Sequence, residues 1–176
     1  MHRERGRAER LYPEVAAEFG GALERLARGY ERDADRRRDL LQEIHIALWR
    51  SLARFDGRCS LRTWVYRVAH NVATSHVIRQ KAHGTRLVTL DDLESIVDTS
   101  DAERELDRGR TLERLYELVR QLRPIDRQVM LLYLEESDAA TIAEVTGLTA
   151  VNVATRIHRL KHLLTQRFHR ARADHA

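Results

Sequence analysis

Between residues 152 and 159 the chain sets Asn152, Thr155, Arg156, His158 and Arg159 within about two helical turns. Amide, hydroxyl, imidazole and guanidinium groups at this spacing can hydrogen-bond the edges of bases and the oxygens of phosphates. A second set lies far upstream, where Arg62, Tyr66, Arg67 and Asn71 mix cations with an aromatic ring and an amide. That mixture suits unpaired bases as well as phosphates. Both sets point to recognition chemistry. The sequence shows no Gly-rich phosphate loop and no nucleophile elbow, so no enzyme is expected. His158 and His162 stand four apart, but two like ligands make only half a metal site, so no metal and no cofactor are expected.

The element that must carry the first set runs from Ser137 to Leu164 and reads as two short helices joined by a tight turn. Ser137 is placed to cap the first helix, and Ile142, Ala143 and Val145 turn inward. Gly147 ends it in the left-handed region, and Thr149 caps the second. Val153, Ile157, Leu160 and Leu164 then share one face at helical spacing. This is the layout of a helix-turn-helix, although ordinary helical bundles use the same geometry. Charge favours the DNA-binding version. From Val145 to Ala173 there is no acidic residue, against Arg156, Arg159, Lys161, Arg167, Arg170 and Arg172. A one-sign surface beside a groove-sized helix suits a phosphate backbone.

Upstream, a helix is expected from about Leu11 to Gly29, with Pro13 near its start and Val15, Phe19, Leu23 and Leu26 in line. The residues before it read as a frayed basic tail rather than a secretion signal. A stronger helix spans about Asp35 to Arg54. Leu41, Ile44, Leu48 and Leu52 make its buried stripe, flanked by Leu40, Ala47 and Trp49. Asp39, Gln42, Glu43, Ile46 and Arg50 face the other way, where Ile46 is either a stray apolar residue or part of a partner surface. After a break with Gly57 as its turn residue, Ser60 caps a third helix, about Leu61 to Lys81. Leu61, Trp64, Val65, Val68, Val72 and Val77 point one way, and Trp64 and Tyr66 could both be core. From Gly57 to Leu90 six Lys/Arg meet no acid. From Asp91 to Asp107 the balance reverses, with eight acidic residues and one Arg. That stretch reads as a linker, either an inert spacer or a segment that imitates nucleic acid. A helix resumes near Ala102 or Arg108, and Pro124 opens another to about Glu135, with Ile125, Val129, Leu132 and Tyr133 placed beneath the helix-turn-helix.

The fold expected is therefore all-α. It has an N-terminal helical domain (1–83), an acidic flexible linker (84–107) and a C-terminal helix-turn-helix domain (108–176). The chain has 176 residues, a formal net charge of +4, two prolines and eight glycines. A single cysteine, Cys59, cannot form an internal disulfide, which fits a reducing cytoplasm. No apolar run approaches the ~18 residues that would span a bilayer, so no membrane insertion is expected.

Taken together these blocks resemble a bacterial RNA polymerase sigma factor of the extracytoplasmic-function (ECF) type. The resemblance rests on D-L-L-Q-E-I-H-I-A-L-W (39–49), on F-D-G-R-C-S-L-R-T-W-V-Y-R-V-A-H-N-V-A (55–73), on L-R-P-I-D-R-Q-V-M-L-L-Y-L (122–134) and on the helix-turn-helix. It covers well over half of the chain, in the family's order. It implies a subunit that binds core polymerase, through the β′ clamp helices and the β flap, and directs initiation at a bipartite promoter. Asp39, Gln42, Glu43 and Ile46 match the polymerase-docking surface. The loop of Phe55, Asp56, Gly57, Arg58, Cys59 and Ser60, with the helix after it, matches the unit that melts the −10 element. Asn71 matches the asparagine that holds a flipped base, with Arg62, Tyr66 and Arg67 along the strand. Thr155, His158 and Arg159 match the −35-reading positions, with Asn152 and Arg156 beside them. Ala154 stands where the family often has Lys or Arg, so affinity there leans on Arg156 and Arg159. Arg58-Cys59 replaces the small or acidic residues common in the loop. The family also implies an anti-sigma protein as a partner. A stand-alone helix-turn-helix regulator with an N-terminal interaction domain is the rival reading. It needs neither the Asp39–Arg50 face nor the basic third helix.

Overall fold

The structure, a computed structural model, describes residues 2–82 and 104–173. Among them are seven helices and no strand: α1 (His2–Tyr30), α2 (Ala34–Leu52), α3 (Leu61–Ala82), α4 (Arg104–Arg120), α5 (Pro124–Leu134), α6 (Ala139–Thr146) and α7 (Ala150–Ala173). The expected all-α class is what the chain adopts. The linker read over 84–107 lies outside the described residues up to 103, and α4 takes its last four positions.

In the N-terminal unit, α2 packs on both α1 and α3. The basic stretch expected to fray is instead the start of α1, and Pro13 sits inside the helix rather than near its beginning. A proline there forfeits a backbone hydrogen bond and costs about 3 kcal/mol. Two contacts offset this: Ala8 is buried, and Arg7 Nη1 donates to the Phe55 carbonyl at 2.5 Å. Asp33 caps α2 by accepting from the amides of Asp35 and Arg36. The stripe of α2 is Leu40, Ile44, Leu48 and Leu52, all fully buried, whereas Leu41 is half-buried. Two neighbouring helices, not one, set the phase of this face.

Ser60 caps α3 as expected, its hydroxyl accepting from the Thr63 amide at 3.0 Å. The inward set differs from the expected one. Val65, Tyr66, Ala69, His70, Ala73 and His76 are buried, while Leu61, Val68, Val72 and Val77 are half-buried. The reason is that α3 is covered on a further side by α5 and α6 of the C-terminal unit. Its sheltered arc is therefore wider and rotated.

In the C-terminal unit, Asp138 rather than Ser137 caps α6, accepting from the Thr141 amide at 2.7 Å. The hydrogen bonding with Thr141 holds the Asp138 carboxyl below the usual carboxylate range. Gly147 has φ 77°, and its amide closes the helix on the Ala143 carbonyl. Thr149 accepts from the Asn152 amide at 3.2 Å and opens α7. Ile142, Val145, Val153, Leu160 and Leu164 are buried together over Val129 and Leu132 of α5.

The two units meet along a packed seam. Gly29 of α1 lies so close to Leu131 of α5 that a β-carbon at position 29 would overlap the leucine side chain. Arg25 holds Glu135 through two parallel 2.7 Å bonds. The Arg127 guanidinium stands 5.3 Å from the centre of the Tyr30 ring, and Arg120 Nη1 donates to the Arg28 carbonyl at 2.7 Å. His70 sits in this seam with Nδ1 2.9 Å from the Tyr30 hydroxyl. Its Nε2 meets no hydrogen-bond partner among the described residues. Complete burial drives the His70 pKa down to about 3, and burial pushes the Tyr30 phenol up to about 12.

Candidate nucleic-acid interfaces

The α6–turn–α7 unit presents one side of α7 to solvent. Asn152, Ala154, Thr155, His158 and Arg159 are all exposed there, and Val151 beside them is 78% exposed. Burial of Val153, Leu160 and Leu164 beneath them fixes the phase of the helix, so this row cannot turn inward. Thr155 keeps a local bond to the Val151 carbonyl at 3.0 Å. The row offers donors and a guanidinium at helical spacing, as groove reading requires.

Arg156 belongs to the same helix but behaves differently. Its Nη1 donates to Asp126 Oδ1 at 2.5 Å, and its Nε donates to Asn152 Oδ1 at 2.7 Å. Asp126 is buried on α5, and its other oxygen lies 3.7 Å from Arg159 Nη2. Asp126 had no place in the reading of the sequence. The run without acids from Val145 to Ala173 is real along the chain, but a carboxylate thirty positions upstream folds against it. The only local signal was an acid in the first turn of α5.

The α3 face is more occupied than its composition implies. Arg62 Nη2 donates to the Glu135 carbonyl at 2.5 Å and lies 3.5 Å from the Ser137 hydroxyl. Arg67 Nη2 donates to the Glu144 carbonyl at 2.6 Å. Thr63 binds the Glu144 carboxylate at 3.0 Å. Tyr66, expected along the strand path, is 1% exposed and packs edge-on to Phe19 at 6.2 Å between ring centres. It is a core residue, because the C-terminal unit closes over its side of α3. Asn71 remains exposed and opens onto a groove of about 380 Å³ that it shares with Thr74, Ser75, Pro124, Ile125 and Gln128. In the loop before α3, Phe55 is half-buried, 5.4 Å from the Trp64 ring centre. Gly57 takes φ 78°, and Asp56 turns back to the Arg58 amide at 3.1 Å. Asp56, Gly57 and Arg58 are exposed, Cys59 is half-buried, and the Ser60 hydroxyl is engaged by Thr63.

On α2, Asp39, Gln42, Glu43 and Ile46 are exposed on one face, as expected. Trp49, expected beside the buried stripe, joins them: it is 39% exposed and stands one turn from Ile46, itself 43% exposed. The pair makes an exposed apolar spot rimmed by Asp39, Gln42 and Glu43. Glu43 is paired with Arg79 of α3 at 2.5 Å. Among the described residues no group of His, Cys, Asp and Glu could hold a metal, and no helix is long and apolar enough to cross a membrane.

Comparison with known proteins bears on all three surfaces. The family model described as Sigma-70 region 2 matches residues 15–83, and the one described as Sigma-70, region 4 matches residues 112–164. Together the two matches span more than half of the chain and contain every surface described above. The chain is 30% identical over 133 residues to the RNA polymerase sigma-H factor of Pseudomonas aeruginosa, a match covering 70% of this chain and 62% of that protein. It is 26% identical over 140 residues to RNA polymerase sigma factor YlaC of Bacillus subtilis, covering 78% and 80%. Among solved structures, CnrH, determined in complex with the cytosolic domain of CnrY, has the same fold. Its TM-score is 0.66 over 93% of each chain, at 21% identity.

Proposed function

The chain belongs to the sigma-70 family, with region 2 followed by region 4 in the ECF arrangement, and from that premise we propose that it binds core RNA polymerase and directs promoter-specific initiation. The observation that carries this reading is the pairing, in one chain, of an exposed docking face on α2 with the open donor row on α7. A stand-alone regulator would use the α7 row but has no task for Asp39, Gln42, Glu43 and Ile46.

In this reading Asp39, Gln42, Glu43, Ile46 and Trp49 dock on the β′ clamp helices, and the C-terminal unit engages the β flap. Asn152, Thr155, His158 and Arg159 read the −35 duplex. The loop Phe55–Ser60 and Asn71 capture unpaired bases of the −10 element. Extruding a base costs a few kcal/mol of lost stacking, which a shaped groove beside Asn71 helps to offset. For Arg62 and Arg67 to hold the strand, they must exchange the Glu135 and Glu144 carbonyls for phosphate. Tyr66 has no part in strand contact. The work is binding and strand separation, without enzymatic chemistry of the chain's own, and its place is the cytoplasm, with the polymerase. An anti-sigma protein completes the proposal. The complex of CnrH with the cytosolic domain of CnrY supports it as a precedent for a protein partner on this fold.

The test is run-off transcription with core polymerase, with and without the full chain. Promoter-specific transcripts that depend on the chain are the expected result. Transcripts that do not depend on it would sink the reading.

A further inference from the structure

Recognition by a helix requires that its side chains be held, and on α7 one buried carboxylate does much of the holding. The Asp126 side chain is only 4% exposed, yet it faces two arginines of a helix that carries no acid of its own. Arg156 is clamped from two sides, by Asp126 on its terminal nitrogen and by Asn152 on its Nε. A planar guanidinium bound at two of its edges has little rotational freedom left. Its side chain is 26% exposed, against 67% for Arg159. Arg156 is thus turned toward α5, not toward the groove. With Asn152 Oδ1 engaged by Arg156, the amide N–H₂ of Asn152 is the end directed away from the clamp. Arg159 lies within the field of the second Asp126 oxygen and keeps most of its surface open.

Resting on the sigma-factor reading above, we propose that Asp126 is a positioning residue for −35 recognition. Through Arg156 it sets the orientation of Asn152, and through its second oxygen it steers Arg159, so base discrimination depends on an α5 side chain that makes no contact with DNA. Arg156 moves with it, from the reading set to the supporting set. The physical reason is the asymmetry between phosphate and base contacts. A phosphate accepts a cation from many directions, whereas a base edge accepts a donor in one plane. Loosening the clamp therefore costs sequence preference before it costs general affinity.

The experiment uses the full chain and two duplexes: one selected from a randomised pool by the wild-type protein, and a scrambled version of it. Asp126→Asn keeps the shape and a hydrogen-bonding oxygen but removes the charge. Its binding to the selected duplex should fall about tenfold, with binding to the scrambled duplex and the slope of affinity against salt unchanged. Arg156→Lys, which keeps the charge and loses the two-edged clamp, should give the same loss. It stands in if Asp126→Asn fails to fold by circular dichroism. Combining Asp126→Asn with Arg156→Lys should add little, because both break one contact. Equal loss on both duplexes would mean a merely structural carboxylate, and tighter binding to both would mean a competitor for phosphate. Either result overturns the proposal, as does unchanged discrimination in Arg156→Lys. A wild-type chain that selects no duplex would instead overturn the sigma-factor reading, and this inference with it.

Discussion

The α3 and α7 helices carry similar stretches of sequence to opposite ends. Each lies in a long run without an acid, and each mixes arginine with amide and histidine side chains. On α7 the exposed row stays open, while Arg156 is drawn inward onto Asp126. On α3 every arginine within the described helix has a partner: Arg62 and Arg67 reach the ends of α5 and α6, and Arg79 reaches Glu43. Tyr66 and His70 are buried outright. A basic run along a chain states what a helix could bind. Whether those groups are available depends on what the rest of the fold brings against them.

Several perturbations test that contrast, and the largest effect is expected at His70 in the seam beside α3. Its folded pKa is about 3, below the ordinary 6.5, so below pH 6.5 the unfolded chain takes up a proton that the folded chain refuses. The contribution is complete above pH 6.5 and is lost as pH falls through the window from 6.5 to 3. The slope approaches 1.4 kcal/mol per pH unit, or about 2 kcal/mol by pH 5. Urea midpoints of the wild type should fall across this range, and those of His70→Phe should fall less. A matching decline in both would place the burial of His70 in doubt. Next, Arg159→Ala should weaken duplex binding by ~1–3 kcal/mol while leaving thermal stability alone, because this side chain is mostly in solvent. Asn71→Ala, on the α3 side, should spare duplex binding and impair open-complex formation, read by permanganate reactivity of the melted strand.

Smaller effects probe the seam itself. Gly29→Ala forces a methyl group against Leu131 and should cost about 1–2 kcal/mol in chemical denaturation, whereas Gly20→Ala, whose methyl meets nothing within 4 Å, should not destabilise the chain. Arg67→Ala should cost about 0.5–1.5 kcal/mol, the net worth of an ordinary hydrogen bond, since this one is exposed and solvent screens its charge. Arg79→Ala should cost less than ~0.5 kcal/mol, since both partners are about half exposed and solvent screens the pair. If Arg67→Ala proves as silent as Arg79→Ala, the covered state of α3 is weaker than its contacts imply.

The sequence was legible where physics is local. Helix ends followed their caps at Ser60, Gly147 and Thr149, and apolar spacing placed Val153, Leu160 and Leu164 inside. Misreadings arose where the answer was not local. Ser137 and Asp138 are adjacent candidates for one cap. Asp138 took it, while Ser137 was drawn into the seam beside Arg62. Pro13 marks a helix start by rule, yet the turns before it are retained by Arg7 and Ala8 against the rest of the N-terminal unit. Trp49 looked like a flank of the stripe because its hydrophobicity says nothing of which side of α2 is covered.

What the sequence determined by itself is the set of helices, their internal phase and the two basic runs, since a period of 3.6 residues fixes which side chains share a face. What only the tertiary structure decided is which faces are covered. Asp126, Glu135 and Glu144 lie tens of residues from the arginines they hold, and no spacing rule along one helix predicts a partner from another. Packing turned one basic face inward and left the other open to solvent.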